Sequence, residues 1–163
     1  MAAMIGMSPV DAMAQPLPSD HLIVPGVRIG KAELEPADQG ALVRELGEPN
    51  QTEQRGDRAY YRYGVPGLDG GSPDELVVTF DLAKDAPFEI STASPAYRTV
   101  DGLGVGSAGA AVREKLGPPV CANGNETGRG AIVYPAIGFA TSNGKVVRVF
   151  IRKLLSASDT ICR

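Results

Sequence analysis

The chain carries a weak internal duplication, and a duplicated unit must build its local structure twice. The first copy reads Val27-Arg28-Ile29-Gly30 and then Ala41-Leu42-Val43-Arg44-Glu45-Leu46-Gly47-Glu48-Pro49. The second reads Leu103-Gly104-Val105-Gly106 and then Ala110-Ala111-Val112-Arg113-Glu114-Lys115-Leu116-Gly117-Pro118-Pro119. In each copy a short apolar stretch ends in Gly and a short helix follows, predicted over 39–46 and 108–116. Leu42, Val43 and Leu46 fall on one helical face, as do Ala111, Val112 and Leu116. Each helix stops at a Gly that can take the left-handed conformation, with Pro shortly after. Asp38 and Ser107 are the expected N-caps.

After each helix the pattern changes to period two. Strands are expected over 59–63, 75–81 and 88–92 in the first copy, and over 131–134, 137–141 and 146–153 in the second. Leu76, Val78 and Phe80 point one way, and Val77, Thr79 and Asp81 the other. In the last strand Val147, Val149 and Ile151 oppose Val146, Arg148, Phe150 and Arg152. Asn143-Gly144 signals a hairpin turn, and the Gly- and Pro-rich stretch 64–74 reads as a long loop. The expected class is α+β: a duplicated helix-then-antiparallel-strands unit, with the helices packed on one face of a sheet. Residues 22–100 and 101–163 are the two repeats of one domain, and residues 1–21 are an export-signal remnant or a disordered tail and linker.

A helix ending Leu-Gly-x-Pro, a Tyr-rich strand and a strand ending Phe-Asp resemble the repeat unit of beta-lactamase inhibitor-like proteins. Small outer-membrane-assembly lipoproteins are similar. The matching residues are 44–49, Tyr60-Tyr61-Arg62-Tyr63 and Leu76-Val77-Val78-Thr79-Phe80-Asp81, with 112–119 and 144–151 in the second copy. The resemblance spans roughly residues 23–153. It implies non-enzymatic binding through a sheet face or its loops. The lipoproteins carry a lipidated Cys just after the signal, and this chain has none near Gln15.

Compartment is read from the first residues and the cysteines. Ala12-Met13-Ala14 is a small-x-small pattern of the kind that precedes a signal-peptidase cut, followed by Gln15-Pro16. No Lys or Arg precedes it, and Pro9 and Asp11 interrupt the apolar run. Cys121 and Cys162 are the two cysteines. An even count in an exported chain suggests one disulfide, with two unrelated thiols as the alternative. The bridge would close a loop of about 42 residues, worth about 4 kcal/mol in the chain-entropy model, and would pin the C-terminal tail onto the second repeat. The expected location is periplasmic or secreted.

Several chemistries are disfavoured. Net charge is −3, which argues against nucleic acid held on a basic face. No apolar run approaches the roughly 18 residues a membrane helix needs, so no integral membrane segment is expected. His21, the one histidine, lies in the linker, away in sequence from Cys121, so a Cys–His nucleophile is not expected. Asp69 to Glu75 lacks the alternating ligand spacing of a calcium loop, and Gly102 to Gly106 is not a dinucleotide fingerprint. Asn125-Glu126-Thr127 matches a glycosylation sequon, which matters only in a eukaryotic secretory pathway. No catalytic residue, metal or cofactor is assigned, and the chain is read as not an enzyme.

The aromatic and cationic alternation is the remaining signal. If Tyr61 and Tyr63 face the core, Tyr60 and Arg62 face out, and Arg148, Phe150 and Arg152 share that outward surface. Such a Tyr/Phe/Arg set is the composition of interface hot spots, though edge aromatics and solubilising arginines would read the same way. The expected function is a protein-binding or inhibitor-like module of the bacterial envelope, with an unknown envelope or secreted protein as partner. The alternative is a small-molecule or lipid-binding periplasmic protein with a pocket between the repeats.

Overall fold

The computed structural model describes residues 21–36, 38–65, 74–124 and 128–153. In chain order the elements are β1 (Leu22–Val24), β2 (Arg28–Ile29), β3 (Ala32–Glu33), α1 (Gln39–Leu46), β4 (Gln51–Arg55), β5 (Arg58–Val65), β6 (Asp74–Asp81), β7 (Ala86–Thr92), β8 (Arg98–Thr99), α2 (Gly109–Leu116), β9 (Cys121–Asn123), β10 (Arg129–Val133), β11 (Ile137–Ser142) and β12 (Lys145–Ile151). Eight strands form one sheet in the order β4-β5-β6-β7-β12-β11-β10-β9. Every pairing in it is antiparallel. The four strands after α1 fill one half and the four after α2 the other, and the halves meet where β7 pairs with β12.

The α+β expectation is overturned. Among the described residues the chain is mostly β, with 48% strand, two short helices and two sheets. An eight-residue helix is about 12 Å long, whereas eight strands spaced about 4.8 Å apart span roughly 34 Å. Two such helices cannot form a covering layer. Leu42 is the buried residue of α1, and Gly109 and Val112 those of α2. Much of the covering comes instead from a four-stranded sheet of order β3-β2-β1-β8, in which β1 and β8 run parallel. It contributes Ile23, Ile29 and Ala32 to the core, with Leu34 just beyond. They meet Val78, Phe80, Ile90, Phe139, Val149 and Ile151 from the large sheet.

The helix ends follow local chemistry. Asp38 accepts from the Ala41 amide at 2.6 Å and caps α1. Gly47 and Gly117 close the two helices at φ 84° and 76°, which a Cβ would disfavour. Ser107 does not cap α2. The N-cap is Ala108 without a side-chain bond, because the Ser107 hydroxyl accepts from the Gly104 amide at 3.1 Å and from Arg98 at 3.4 Å. The Tyr134 hydroxyl donates to the Gly117 carbonyl at 2.9 Å, tying the end of α2 to the sheet.

The expected facing of the last strand needs one correction. Thr141 pairs with Val146 and Ala140 with Arg148, so Val147 has no partner and forms a bulge. A bulge inserts one residue and shifts the alternation. Val146 therefore joins Val149 and Ile151 in the core, while Val147 is 44% exposed. Urea unfolding should show Val146→Ala losing about 1–3 kcal/mol and Val147→Thr staying within about 0.5 kcal/mol of the parent. The reverse order would restore an unbroken alternation.

Two tyrosines of β5 enter the core, and only one is satisfied. The Tyr61 hydroxyl accepts from Gln39 of α1, and its ring packs on Phe80 with centroids 5.1 Å apart. The Tyr63 hydroxyl is buried without a hydrogen-bond partner. Burial, with smaller contributions from Tyr61 and Glu48, pushes its pKa up to about 12. The unfolded phenol ionises near pH 10, so between about pH 10 and 12 the unfolded chain binds fewer protons and stability falls as pH rises. Tyr63→Phe should flatten that alkaline loss. At neutral pH it should leave stability equal to the parent or raise it by about 1 kcal/mol, since it removes an unpaired buried hydroxyl. Thermal melts at pH 7 and across the alkaline range read both effects.

Candidate functional site: the outer face of the large sheet

Register aligns one residue from each strand of the large sheet into a row on the face away from the core. The row runs Gln51, Arg62, Val77, Ser91, Phe150, Gly138, Val133 and Cys121. A second row beside it holds Glu53, Tyr60, Thr79 and Glu89. Arg152, just past β12, extends that row by donating to Glu89 at 2.8 Å. A third holds Arg148, Ala140, Ala131 and Asn123. The structure thus brings Tyr60, Arg62, Arg148, Phe150 and Arg152 onto one face.

Their environments differ. Tyr60, Arg62 and Arg148 are half-buried. Arg62 lies 3.8 Å from Glu53, Arg148 donates to the Ser91 hydroxyl at 3.1 Å, and Arg55 sits over the Tyr60 ring at 5.9 Å. Phe150 lies on the same face with little exposed surface. It is 5% exposed and clusters with Ala131 and Val133, with Cys121 packed alongside. Its ring lies across Gly138, where a methyl group would fall 2.0 Å from the ring. Arg152 is committed to a pair with Glu89 at 2.7 Å.

Arg58 and Phe88 belong to the same face and were not anticipated from the sequence. The guanidinium carbons of Arg58 and Arg152 lie 3.7 and 4.4 Å from the Phe88 ring centre. Arg58, Tyr60 and Arg62 alternate along β5, so period two carried the signal for Arg58. Phe88 was hidden by a register shift. Thr79 pairs with Glu89 and Phe80 with Pro87, so Phe88 sits at a bulge.

At the other end of the sheet, a cavity of about 660 Å³ opens between the start of α2 and strands β9 to β11. Gly109 and Arg113 line one side, and Asn123, Ile132, Thr141 and Asn143 the other. Burial pushes the nearby Tyr134 phenol up, while Arg113 opposes that shift. His21 packs edge-on against Tyr97 with centroids 5.8 Å apart. Gly102 and Gly106 shape turns at φ 78° and 90°, with Leu103 buried between them. Among the described residues no cluster of three His, Cys, Asp or Glu side chains is placed to hold a metal ion. No helix among them is long and apolar enough to cross a membrane.

Several sequence expectations lie outside the described residues. These are the cleavage pattern at 12–16, the loop residues 66–73, the sequon at 125–127 and Cys162. Cys121 is half-buried on β9, and among the described residues there is no free cysteine.

No protein-family model matches the chain, and no curated protein matches it. Among solved structures it is similar to an extracellular protein containing an SCP domain from Bacillus anthracis, with a TM-score of 0.51 and 11% identity. The likeness covers 73% of this chain and 44% of that one, less than half of its length. At that identity the similarity is one of fold.

Proposed function

We propose that the chain is a non-enzymatic exported module that binds another protein through the outer face of its eight-stranded sheet. The observation that carries this reading is the juxtaposition of Tyr60, Arg62 and Arg148 around buried Val77 and Ser91. Tyr and Arg dominate interface energetics when they surround a strip that excludes water. An antiparallel sheet can leave one face open in this way. The extracellular character of the Bacillus anthracis protein and the resemblance to beta-lactamase inhibitor-like proteins support the same reading.

A cavity of about 660 Å³ beside α2 favours a second reading, a small-molecule or lipid-binding exported protein, since ligand sites commonly run to about 300–1,000 Å³. Native mass spectrometry of protein from its own host separates the two. A retained small-molecule mass supports the cavity, and bare protein argues against it.

The leading reading is tested by affinity capture from envelope extract and by titration of the captured partner. The parent should retain a specific protein. Arg62→Ala combined with Arg148→Ala should weaken binding about tenfold or more, equivalent to at least about 1.4 kcal/mol, with the melting curve showing that the variant folds. Capture of nothing at any salt, or a double variant that binds like the parent, would sink the proposal.

A further inference from the structure

The cavity of about 660 Å³ lies wholly within the second half of the chain, between α2 and strands β9 to β11. Its shape depends on one glycine. A Cβ on Gly109 would fall 3.3 Å from a methyl carbon of Ile132, so the start of α2 sits close on β10, and Ala108, Gly109 and Ala110 leave space beside it. Arg113 stands four residues after Gly109, and residues so spaced share one face of a helix. That spacing puts the arginine into the cavity wall.

The chemistry of the lining is one-sided. Among the described residues Arg113 is the charged side chain that lines the cavity, and no carboxylate does. Arg113 is exposed, and its side chain makes no ion pair or hydrogen bond with a described residue. Two acceptors of the lining are already engaged. Asn123 gives its side-chain oxygen to the Ala131 amide at 2.9 Å, and the Gly144 carbonyl accepts from the Gly109 amide at 2.8 Å. From the far side Thr141 adds a hydroxyl and Asn143 an amide group.

The first helix meets the same need from its own residues. Arg44 of α1 stands four residues after Gly40, and the Asp38 carboxylate at the N-cap lies 3.9 Å from it. In α2 the N-cap is Ala108, which has no carboxylate to offer Arg113.

We propose that the cavity binds a small organic acid whose carboxylate or phosphate group pairs with Arg113. The inference rests on the second reading above, that this cavity takes a small molecule, and it separates that molecule from a lipid. A guanidinium presents paired N–H donors that match two oxygens of such a group. The volume falls within the range of about 300–1,000 Å³ usual for ligand sites. Ile132 is the large apolar side chain of the described lining, and it is 2% exposed. The wall therefore offers an acyl chain little to lie on.

The full chain is titrated by amide NMR, at fixed ionic strength, with succinate, inorganic phosphate and the neutral isostere succinamide. Saturable shifts are expected at Gly109, Ala110, Thr141 and Asn143 with succinate or phosphate, and none with succinamide. The tighter of the two oxyanions identifies the acid group. Arg113→Gln should weaken that binding about tenfold or more, since it removes a charge-assisted pair. Its melting curve should match the parent, because the side chain is exposed. Arg113→Lys keeps the charge and loses the fork, so its affinity should fall between the two. Succinamide binding as tightly as succinate would overturn the acid class and leave a small-molecule cavity standing. Shifts that survive Arg113→Gln unchanged, or no saturable shift with either oxyanion, would each overturn the proposal. The retained mass in native mass spectrometry tests the second reading by itself, so the two fail separately.

Discussion

Three residue pairs join the two halves of the molecule. Ile90 faces Ile151, Ser91 faces Phe150, and Thr92 faces Val149 where β7 meets β12. Ile90, Thr92, Val149 and Ile151 are each 0% exposed, so the seam crosses the centre of the core. Fully burying a Val or Ile side chain is worth about 1.5–3 kcal/mol, and the three aliphatic residues here link strands more than fifty residues apart in the chain. Without this pairing each half would expose an additional long unpaired edge, a template for association. With it, the open edges are β4 and β9. Gln51-Thr52-Glu53-Gln54-Arg55 makes β4 polar throughout, and β9 has only three residues.

Local chemistry was the most legible part of the sequence. The Asp38 cap and the glycine stops at 47 and 117 sit where their residue types require them, and α1 spans the expected 39–46. The strands with clean alternation, β6 above all, present the expected faces. Three things did not show. The small sheet is built from strands of two and three residues, too short to display a period. The bulges at Val147 and Phe88 shift the alternation by one residue, and such a shift exchanges core and surface. The class is not legible because two recurring helices suggest a covering layer, although their length cannot cover the sheet. Of the candidate site, alternation found the face and residue type found its arginines. The burial of Phe150 depends on Gly138, a residue on another strand that no local pattern connects to it.

The face away from the core is dressed in two different ways. Across β5 to β7, long side chains lie along the sheet. Arg148 reaches Ser91, Arg62 approaches Glu53, and Arg58 and Arg152 rest on Phe88. Arginine stems cover apolar surface while their charged heads remain in polar surroundings, so this half shields Val77, Thr79 and Ser91 from its own resources. Across β10 and β11 the outward residues are Arg129, Ala131, Val133, Gly138, Ala140 and Ser142. All but Arg129 are short, and Phe150 lies over Gly138. The two halves therefore impose different demands. The arginine-rich half can meet water alone or meet a partner, whereas in the other half the large apolar side chain is Phe150, packed with Ala131 and Val133. On the reading proposed above, that asymmetry places recognition on the part of the face that carries Tyr60, Arg62 and Arg148.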